Sequence, residues 1–193
     1  MNLPNKLTLL RIVLTFFIMA LLFLPGAAAK AMALGLFVLA TLTDWLDGYL
    51  ARRLQRVTPL GVLLDPMADK VLVIGLLLAF VQLELVLAWM VLIIAIREFL
   101  ITGVRLYAAS HHIVIPAAKE GKHKTVSQML TLLVVLGLLL ARELVSTDAQ
   151  MAMARWMPSV ILSCMWVTVL LTLISGASFF WRNRTVLLDA TSR

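Results

Sequence analysis

The sequence has little charge and almost no cysteine. Only 14% of its 193 residues are Asp, Glu, Lys or Arg, whereas about a quarter are charged in an average soluble domain. The single cysteine, Cys164, excludes an internal disulfide framework and so excludes a secreted disulfide-rich scaffold. The apolar stretches do not alternate with polar residues, as the strands of a porin-like barrel would, but are long and continuous.

Apolar residues make up most of the chain. They account for 62% of it, and the mean hydropathy is +1.01. A water-soluble globule could not bury so much apolar surface, so the lipid bilayer must surround most of the molecule. This excludes a cytosolic enzyme and a disordered chain.

Six apolar runs are long enough to cross a bilayer, which takes about 20 residues in a helix. They cover residues 8–25, 30–50, 61–82, 84–107, 125–146 and 155–180. The connections between them are short and leave no room for a sizeable soluble domain. We therefore predict an all-α integral membrane protein, with residues 1–193 forming a single domain of six transmembrane helices.

The basic residues predict the orientation of these helices. Cytosolic loops of membrane proteins are enriched in Lys and Arg. If the N-terminus is cytosolic, eleven basic residues lie on that side: Lys6, Arg52, Arg53, Arg56, Arg105, Lys119, Lys122, Lys124, Arg182, Arg184 and Arg193. Only three, Lys30, Arg142 and Arg155, lie on the other side. Both termini are therefore predicted to be cytosolic, and the net charge of +7 needs no nucleic-acid partner to explain it.

Four carboxylates fall near the cytosolic ends of two neighbouring helices. Asp44 and Asp47 lie near the end of the second apolar run, and Asp65 and Asp69 lie near the start of the third. Spacings of three and four residues place each pair on one helix face. If these two faces meet, all four carboxylates occupy one small volume.

Such a cluster of carboxylates needs cations, because buried anions repel one another and lose their hydration. Oxygen ligands suit Mg²⁺ or Mn²⁺, and two ions match four carboxylates better than one, as in two-metal phosphoryl-transfer sites. The alternative interpretation is that these residues are helix caps and turn residues at the membrane surface, which Asp65 before Pro66 partly resembles.

Small residues accompany the carboxylates. Gly48, Ala51 and Gly61 lie on the same predicted faces, where they favour either close helix packing or the approach of a flat base or diphosphate to the backbone. Arg52 follows Ala51 and can form paired hydrogen bonds with phosphate oxygens.

The combined pattern Asp44-x2-Asp47-Gly48-x2-Ala51-Arg52-x8-Gly61-x3-Asp65-x3-Asp69 resembles the signature of the CDP-alcohol phosphotransferase family at every defined position. The resemblance implies that Asp44, Asp47, Asp65 and Asp69 bind two divalent cations and that Asp69 is also the general base. It further implies that Gly48, Ala51, Arg52 and Gly61 shape the nucleotide pocket, and that the protein is a homodimer.

Three other segments, residues 2–11, 97–105 and 121–129, resemble the phosphatidylglycerophosphate synthase subfamily. That resemblance implies transfer of a phosphatidyl group from CDP-diacylglycerol to sn-glycerol 3-phosphate, which gives phosphatidylglycerol phosphate and CMP. It also implies a bacterial inner-membrane enzyme whose active site faces the cytosol.

An acceptor that carries its own phosphate requires a second cationic pocket. Arg105, Lys122 and Lys124 are the candidates, with Lys119 a further possibility. The alternative is that these residues only provide the positive charge typical of cytosolic loops.

Three other functions compete with this interpretation. The same chemistry could use another acceptor: inositol phosphate, phosphatidylglycerol or serine. A membrane prenyltransferase also uses Asp-rich helices and diphosphate substrates, although six spans are few for one. A divalent-cation transporter would need carboxylates near the middle of the bilayer, and here the far-side halves of the spans are almost purely apolar.

Overall fold

The structure is a computed structural model that describes residues 3–54, 59–111 and 120–184, with side chains except at positions 3–8, 44–54, 59–66, 69 and 120–122. All regular secondary structure in these ranges is helical. The six helices are α1 (Leu3–Phe23), α2 (Ala27–Leu54), α3 (Pro59–Gln82), α4 (Ala88–Ser110), α5 (Glu120–Leu144) and α6 (Thr147–Arg182).

Each predicted apolar run corresponds to one helix, so the all-helical prediction is confirmed, but several helix ends differ. Helix α4 begins at Ala88 rather than at residue 84, because the chain first turns through Glu84, whose φ is 58°. Helix α6 begins at Thr147 rather than at residue 155, since the Gln150 amide already donates to the Ser146 carbonyl at 2.9 Å. The hydrogen-bonded backbone of α6 therefore begins before the apolar run from which the helix was predicted.

The turn between α1 and α2 is closed by a buried lysine. Gly26 has a φ of 96°, a left-handed conformation that glycine adopts without strain. Lys30, which is 8% exposed, then donates to the carbonyl oxygens of Leu22 at 2.6 Å and Leu24 at 2.8 Å. These carbonyls lie at the end of α1, where the helix leaves acceptors unsatisfied.

Helix α3 lies at the centre of the bundle. It packs against α1, α4 and α5, while α2 packs against α1 and α5, and α6 against α4 and α5. Its side chains Leu72, Leu76 and Phe80 are almost completely buried. Large apolar side chains such as Phe16 and Phe17 instead lie exposed on the outer surface, as expected where the solvent is lipid.

Helices α5 and α6 run antiparallel and are joined by hydroxyl groups. Thr168 Oγ1 lies 2.8 Å from both Ser127 Oγ and Thr131 Oγ1. Thr131 also donates to the Cys164 carbonyl at 3.4 Å. Interhelical hydrogen bonds of this kind are typical of helices packed within a membrane.

Two helical segments, His123–Leu144 and Thr147–Arg182, are long and apolar enough to span a membrane. Shorter apolar segments occupy Leu9–Phe23, Ala27–Thr43 and Lys70–Gln82 within the part of the chain that the structure describes. Helix α4 has the required length but carries Arg97, Glu98 and Arg105. The lengths and apolar surfaces of these helices are consistent with a membrane protein.

Candidate active site

The four predicted metal ligands occupy adjoining helix ends. Asp44 and Asp47 belong to the C-terminal part of α2, and Asp65 and Asp69 to the N-terminal part of α3. Only residues 55–58 separate the two helices, so the backbone brings both pairs to the same end of the bundle. Their side chains, and those of Gly48, Ala51, Arg52 and Gly61, lie outside the described residues. The predicted metal and nucleotide contacts therefore remain predictions.

The beginning of α5 lies at this same end. A groove between α2 and α5 is lined by Phe37 and Thr41 from one helix and by Val126 and Met129 from the other. The α2 backbone continues from Thr41 toward the aspartate positions, while the α5 backbone leads from Val126 back toward Lys124. The aspartate positions and Lys124 thus belong to the same end of the helix pair.

Lys124 forms a buried ion pair with Glu98 of α4. It is 4% exposed, and its Nζ donates a hydrogen bond to Glu98 Oε1. Arg97 Nη1 donates to the same oxygen at 3.1 Å. One carboxylate oxygen therefore accepts hydrogen bonds from two cations on different helices, which is the charge-assisted and strong kind of hydrogen bond.

Arg97 is in turn fixed to α6. Its Nη2 donates to Ser175 Oγ at 2.6 Å. The next residue, Gly176, leaves room for the arginine stem, because a Cβ atom there would lie 3.3 Å from Arg97 Cγ. Hydrogen bonds thus connect α6, α4 and α5 in sequence through Ser175, Arg97, Glu98 and Lys124.

Lys70 connects this network to the aspartate end of α3. It directly follows Asp69 in the chain, and its Nζ donates a hydrogen bond to Thr102 Oγ1 on α4. Thr102 lies one helical turn beyond Glu98. The positive charges of Lys70 and Arg97 both lie close enough to Lys124 to interact electrostatically with its ammonium group. We call Lys70, Arg97, Glu98 and Lys124 the cationic cluster, because among the described side chains three cations here accompany one carboxylate.

The predicted acceptor-phosphate residues are placed only in part. Lys124 belongs to the cationic cluster. Arg105 is exposed on α4, two turns beyond Arg97, and its Cζ lies 5.5 Å from the centroid of the Phe179 ring. The side chains of Lys122 and Lys119 lie outside the described residues. The spacing of residues along the sequence did not predict the pairing of Glu98 with Lys124, 26 residues away.

No group of three His, Cys, Asp or Glu side chains lies together among those that the structure describes. The candidate ligand set is therefore the one that the sequence predicts, the four aspartates, whose side chains are not among those described. Carboxylate oxygens are the donors that Mg²⁺ and Mn²⁺ prefer, so the chemistry of this set fits hard divalent cations.

An apolar groove of about 570 Å³ leads away from Lys70. It lies between α1, α3 and α4 and is lined mainly by apolar side chains, among them Phe16, Met67 and Phe99, which are exposed on the outer surface. A surface groove of this kind, with a cation at its edge, suits a molecule with an apolar tail and an anionic head.

Comparison with known proteins identifies the family. A family model described as CDP-alcohol phosphatidyltransferase matches residues 1–174. A Bacillus subtilis protein named CDP-diacylglycerol–glycerol-3-phosphate 3-phosphatidyltransferase is 40% identical over 196 aligned positions, which cover 94% of this chain and 95% of that protein. A Rickettsia typhi protein of the same name is 34% identical, covering 95% of this chain and 98% of that protein.

Another relative, which is matched over a shorter stretch, has a different name. The protein named cardiolipin synthase (CMP-forming) from Oryza sativa is 36% identical over 150 positions, which cover 70% of this chain and 46% of that protein. The family match includes all eight residues of the Asp44–Asp69 pattern and extends far on both sides of it. The chain therefore belongs to the CDP-alcohol phosphatidyltransferase family.

Proposed function

We propose that this protein is a phosphatidylglycerophosphate synthase, which transfers the phosphatidyl group of CDP-diacylglycerol to sn-glycerol 3-phosphate and releases CMP. The observation that carries this proposal is the near full-length similarity to relatives named for that reaction, at 40% and 34% identity. The aspartate pattern gives the chain the residues that the transfer needs, and the cationic cluster supports the choice of a phosphorylated acceptor.

The four aspartates carry the reaction in this proposal. Asp44, Asp47, Asp65 and Asp69 hold two divalent cations, which supply charge neutralisation for the diphosphate and the departing CMP. Asp69 also accepts the proton of the acceptor's 1-hydroxyl group. The hydroxyl oxygen forms a bond to the lipid-side phosphorus while the bond from that phosphorus to the CMP oxygen breaks. Gly48, Ala51, Arg52 and Gly61 form the nucleotide pocket.

The acceptor phosphate is bound by Arg105, Lys122 and Lys124. Lys124 supports this assignment because, among the described side chains, it shares the single carboxylate of Glu98 with a second cation, Arg97. An excess of buried positive charge favours an anionic ligand. The lipid donor, in turn, is consistent with the apolar groove that begins at Lys70.

The membrane arrangement is part of the same proposal. Six helices cross the bacterial inner membrane with both termini in the cytosol, and the active site faces the cytosol, where glycerol 3-phosphate is dissolved. Support comes from the eleven-to-three distribution of basic residues and from the short connections between α1 and α2, α3 and α4, and α5 and α6. Two copies form a homodimer through their apolar outer surfaces.

A second candidate function keeps the chemistry but changes the acceptor. The similarity to the rice protein named cardiolipin synthase favours phosphatidylglycerol as the alternative. An acceptor with a lipid tail would have little use for a cationic pocket built for a terminal phosphate, because its headgroup ends in neutral hydroxyl groups.

An acceptor competition on purified protein tests the proposal. The protein, in detergent with CDP-diacylglycerol and Mg²⁺, receives glycerol 3-phosphate, phosphatidylglycerol, inositol phosphate or serine, and CMP release is measured together with the labelled lipid product. We expect turnover with glycerol 3-phosphate and a loss of turnover when Mg²⁺ is chelated. Turnover with another acceptor but not with glycerol 3-phosphate would contradict the proposal.

A further inference from the structure

Glu98 is the residue on which the cationic cluster depends. It lies on α4, while Lys124 lies on α5, and the Glu98 side chain is only 12% exposed. A lysine side chain is a long, flexible stem that ends in a compact charge. With a buried carboxylate as its partner, the Lys124 ammonium is held in one place rather than sampling several rotamers.

The Glu98 carboxylate is in turn held in position by Arg97. Arg97 Nη1 donates to Glu98 Oε1 at 3.1 Å, and Arg97 Nη2 donates to Ser175 Oγ at 2.6 Å. The glycine at 176 lets the arginine stem lie against α6. The position of Lys124 is therefore set by three helices, and no single side chain in this network can move without disturbing the next.

The network leaves hydrogen-bonding capacity and charge for a ligand. A lysine ammonium has three donors, and among the described residues only Glu98 accepts a hydrogen bond from Lys124. Arg97 and Lys124 together carry two positive charges against one negative charge on Glu98. Within the part of the chain whose side chains are described, one positive charge and two donors are thus left over, and a phosphate group would satisfy both.

We propose that Glu98 is a positioning residue that holds the Lys124 ammonium where it binds the phosphate group of glycerol 3-phosphate. This inference rests on the proposed function, because it concerns the acceptor of that reaction. Glu98 acts through Lys124 and not on the substrate. Its removal should therefore weaken acceptor binding and leave donor binding intact.

Steady-state kinetics of full-length Glu98→Gln test this proposal. The amide keeps the size of the side chain but loses the negative charge that fixes Lys124. We expect the KM for glycerol 3-phosphate to rise about tenfold, the size of effect usual for loss of a residue that orients a ligand-binding side chain. The KM for CDP-diacylglycerol and kcat should stay within about twofold of wild type. Glu98→Asp, which keeps the charge, should show a smaller rise.

A double variant separates positioning from general damage. Lys124→Met alone should raise the KM for glycerol 3-phosphate, and adding Glu98→Gln to it should raise the KM no further, because Glu98 would have no ammonium left to hold. Glu143→Gln is the matched control, since Glu143 is exposed near the end of α5, and it should behave as wild type.

Several results would overturn the inference. They are equal increases in both KM values for Glu98→Gln, no increase in either, or multiplicative effects in the double variant.

If Glu98→Gln does not fold, as judged by size exclusion and thermal unfolding, Ser175→Ala replaces it and should raise the acceptor KM about threefold by loosening Arg97. A wild-type protein that makes no lipid from glycerol 3-phosphate would contradict the proposed function as well, whereas active wild type with an unchanged acceptor KM in Glu98→Gln contradicts only this inference.

Discussion

Lys30 is a buried cation whose partners are the carbonyl groups at the end of the preceding helix. Its ammonium donates to Leu22 and Leu24 and so satisfies acceptors that no backbone amide reaches. Lys30→Met keeps the apolar stem but removes both hydrogen bonds. We expect it to lower the free energy of unfolding by about 2 kcal/mol, as is usual for hydrogen bonds to a charged group.

Thermal unfolding of the purified protein in detergent measures this effect. Arg155→Met is the matched control, because Arg155 is also basic but is exposed on α6, and its melting temperature should equal that of wild type. Equal melting temperatures for Lys30→Met and wild type would show that water replaces the lysine at no cost.

Asp69 is expected to act on the proton of the acceptor, which distinguishes it from the other three aspartates. Asp69→Asn keeps an oxygen atom that can face a cation but cannot accept the proton. We expect kcat to fall by about 10²- to 10⁴-fold, while Mg²⁺-dependent binding of CDP, measured by calorimetry, persists. Asp44→Ala and Asp65→Ala should lose both turnover and CDP binding.

Near-normal turnover in Asp69→Asn would remove this residue as the general base. Loss of CDP binding in Asp69→Asn, to the same degree as in Asp44→Ala, would instead make it a ligand only.

At the scale of single residues, the features that can be predicted from the sequence are those that depend only on the spacing of residues along one helix. The intervals from Asp44 to Asp47 and from Asp65 to Asp69 are local, so the shared faces follow from helical geometry. The pairing of Glu98 with Lys124 crosses from α4 to α5 and depends on how those helices pack, which no spacing specifies. The sequence predicts Lys124 as a ligand of the acceptor phosphate, and the structure adds that it has a carboxylate partner.

At the scale of helices, Gly75 sets the distance between α1 and α3. A Cβ atom at this position would lie 3.0 Å from Thr15 Cγ2 and 3.3 Å from Met19 Sδ, closer than ordinary contact. Small residues let membrane helices approach in this way. We expect Gly75→Ala to be less stable than Gly137→Ala by about 1–3 kcal/mol, the usual cost of overpacking.

Gly137 is the matched control because it is also within a helix, but no described atom lies within 4 Å of the position that its Cβ would take. Alanine there should keep or raise the melting temperature, since it favours the helix by about 1 kcal/mol over glycine. The same melting temperature for both variants would show that α1 can move away from α3 without loss.

The number and order of the helices could be predicted from the apolar runs, but their ends could not. Hydropathy detects the lipid-facing part of a helix, whereas the hydrogen-bonded backbone continues into polar residues at the membrane surface. This is why α6 includes Thr147 and Asp148 and why α2 extends to Leu54. The delayed start of α4 has a different cause, the left-handed turn at Glu84.

At the scale of the whole molecule, most of the polar residues discussed above lie toward one end of the bundle. The aspartate positions and Arg105 belong to the half of the bundle where α2 and α4 finish and α3 and α5 begin, and the cationic cluster connects the middle of α3 and of α4 with the start of α5. The other end has the short turns closed by Lys30 and Glu84. A reaction between a lipid and a soluble phosphate requires this arrangement, because the site must contact the bilayer and water at once.

The proposed orientation in the membrane can be tested with single cysteines. In a Cys164→Ala background, Ser146→Cys lies between α5 and α6 and His111→Cys at the end of α4, and both positions are exposed. Intact bacteria expressing each variant are treated with a membrane-impermeant maleimide. Since the cytosolic side carries most of the basic residues, we expect labelling of Ser146→Cys before lysis and of His111→Cys only after lysis. Labelling of His111→Cys in intact cells would place the C-terminal end of α4 outside and contradict the proposed orientation.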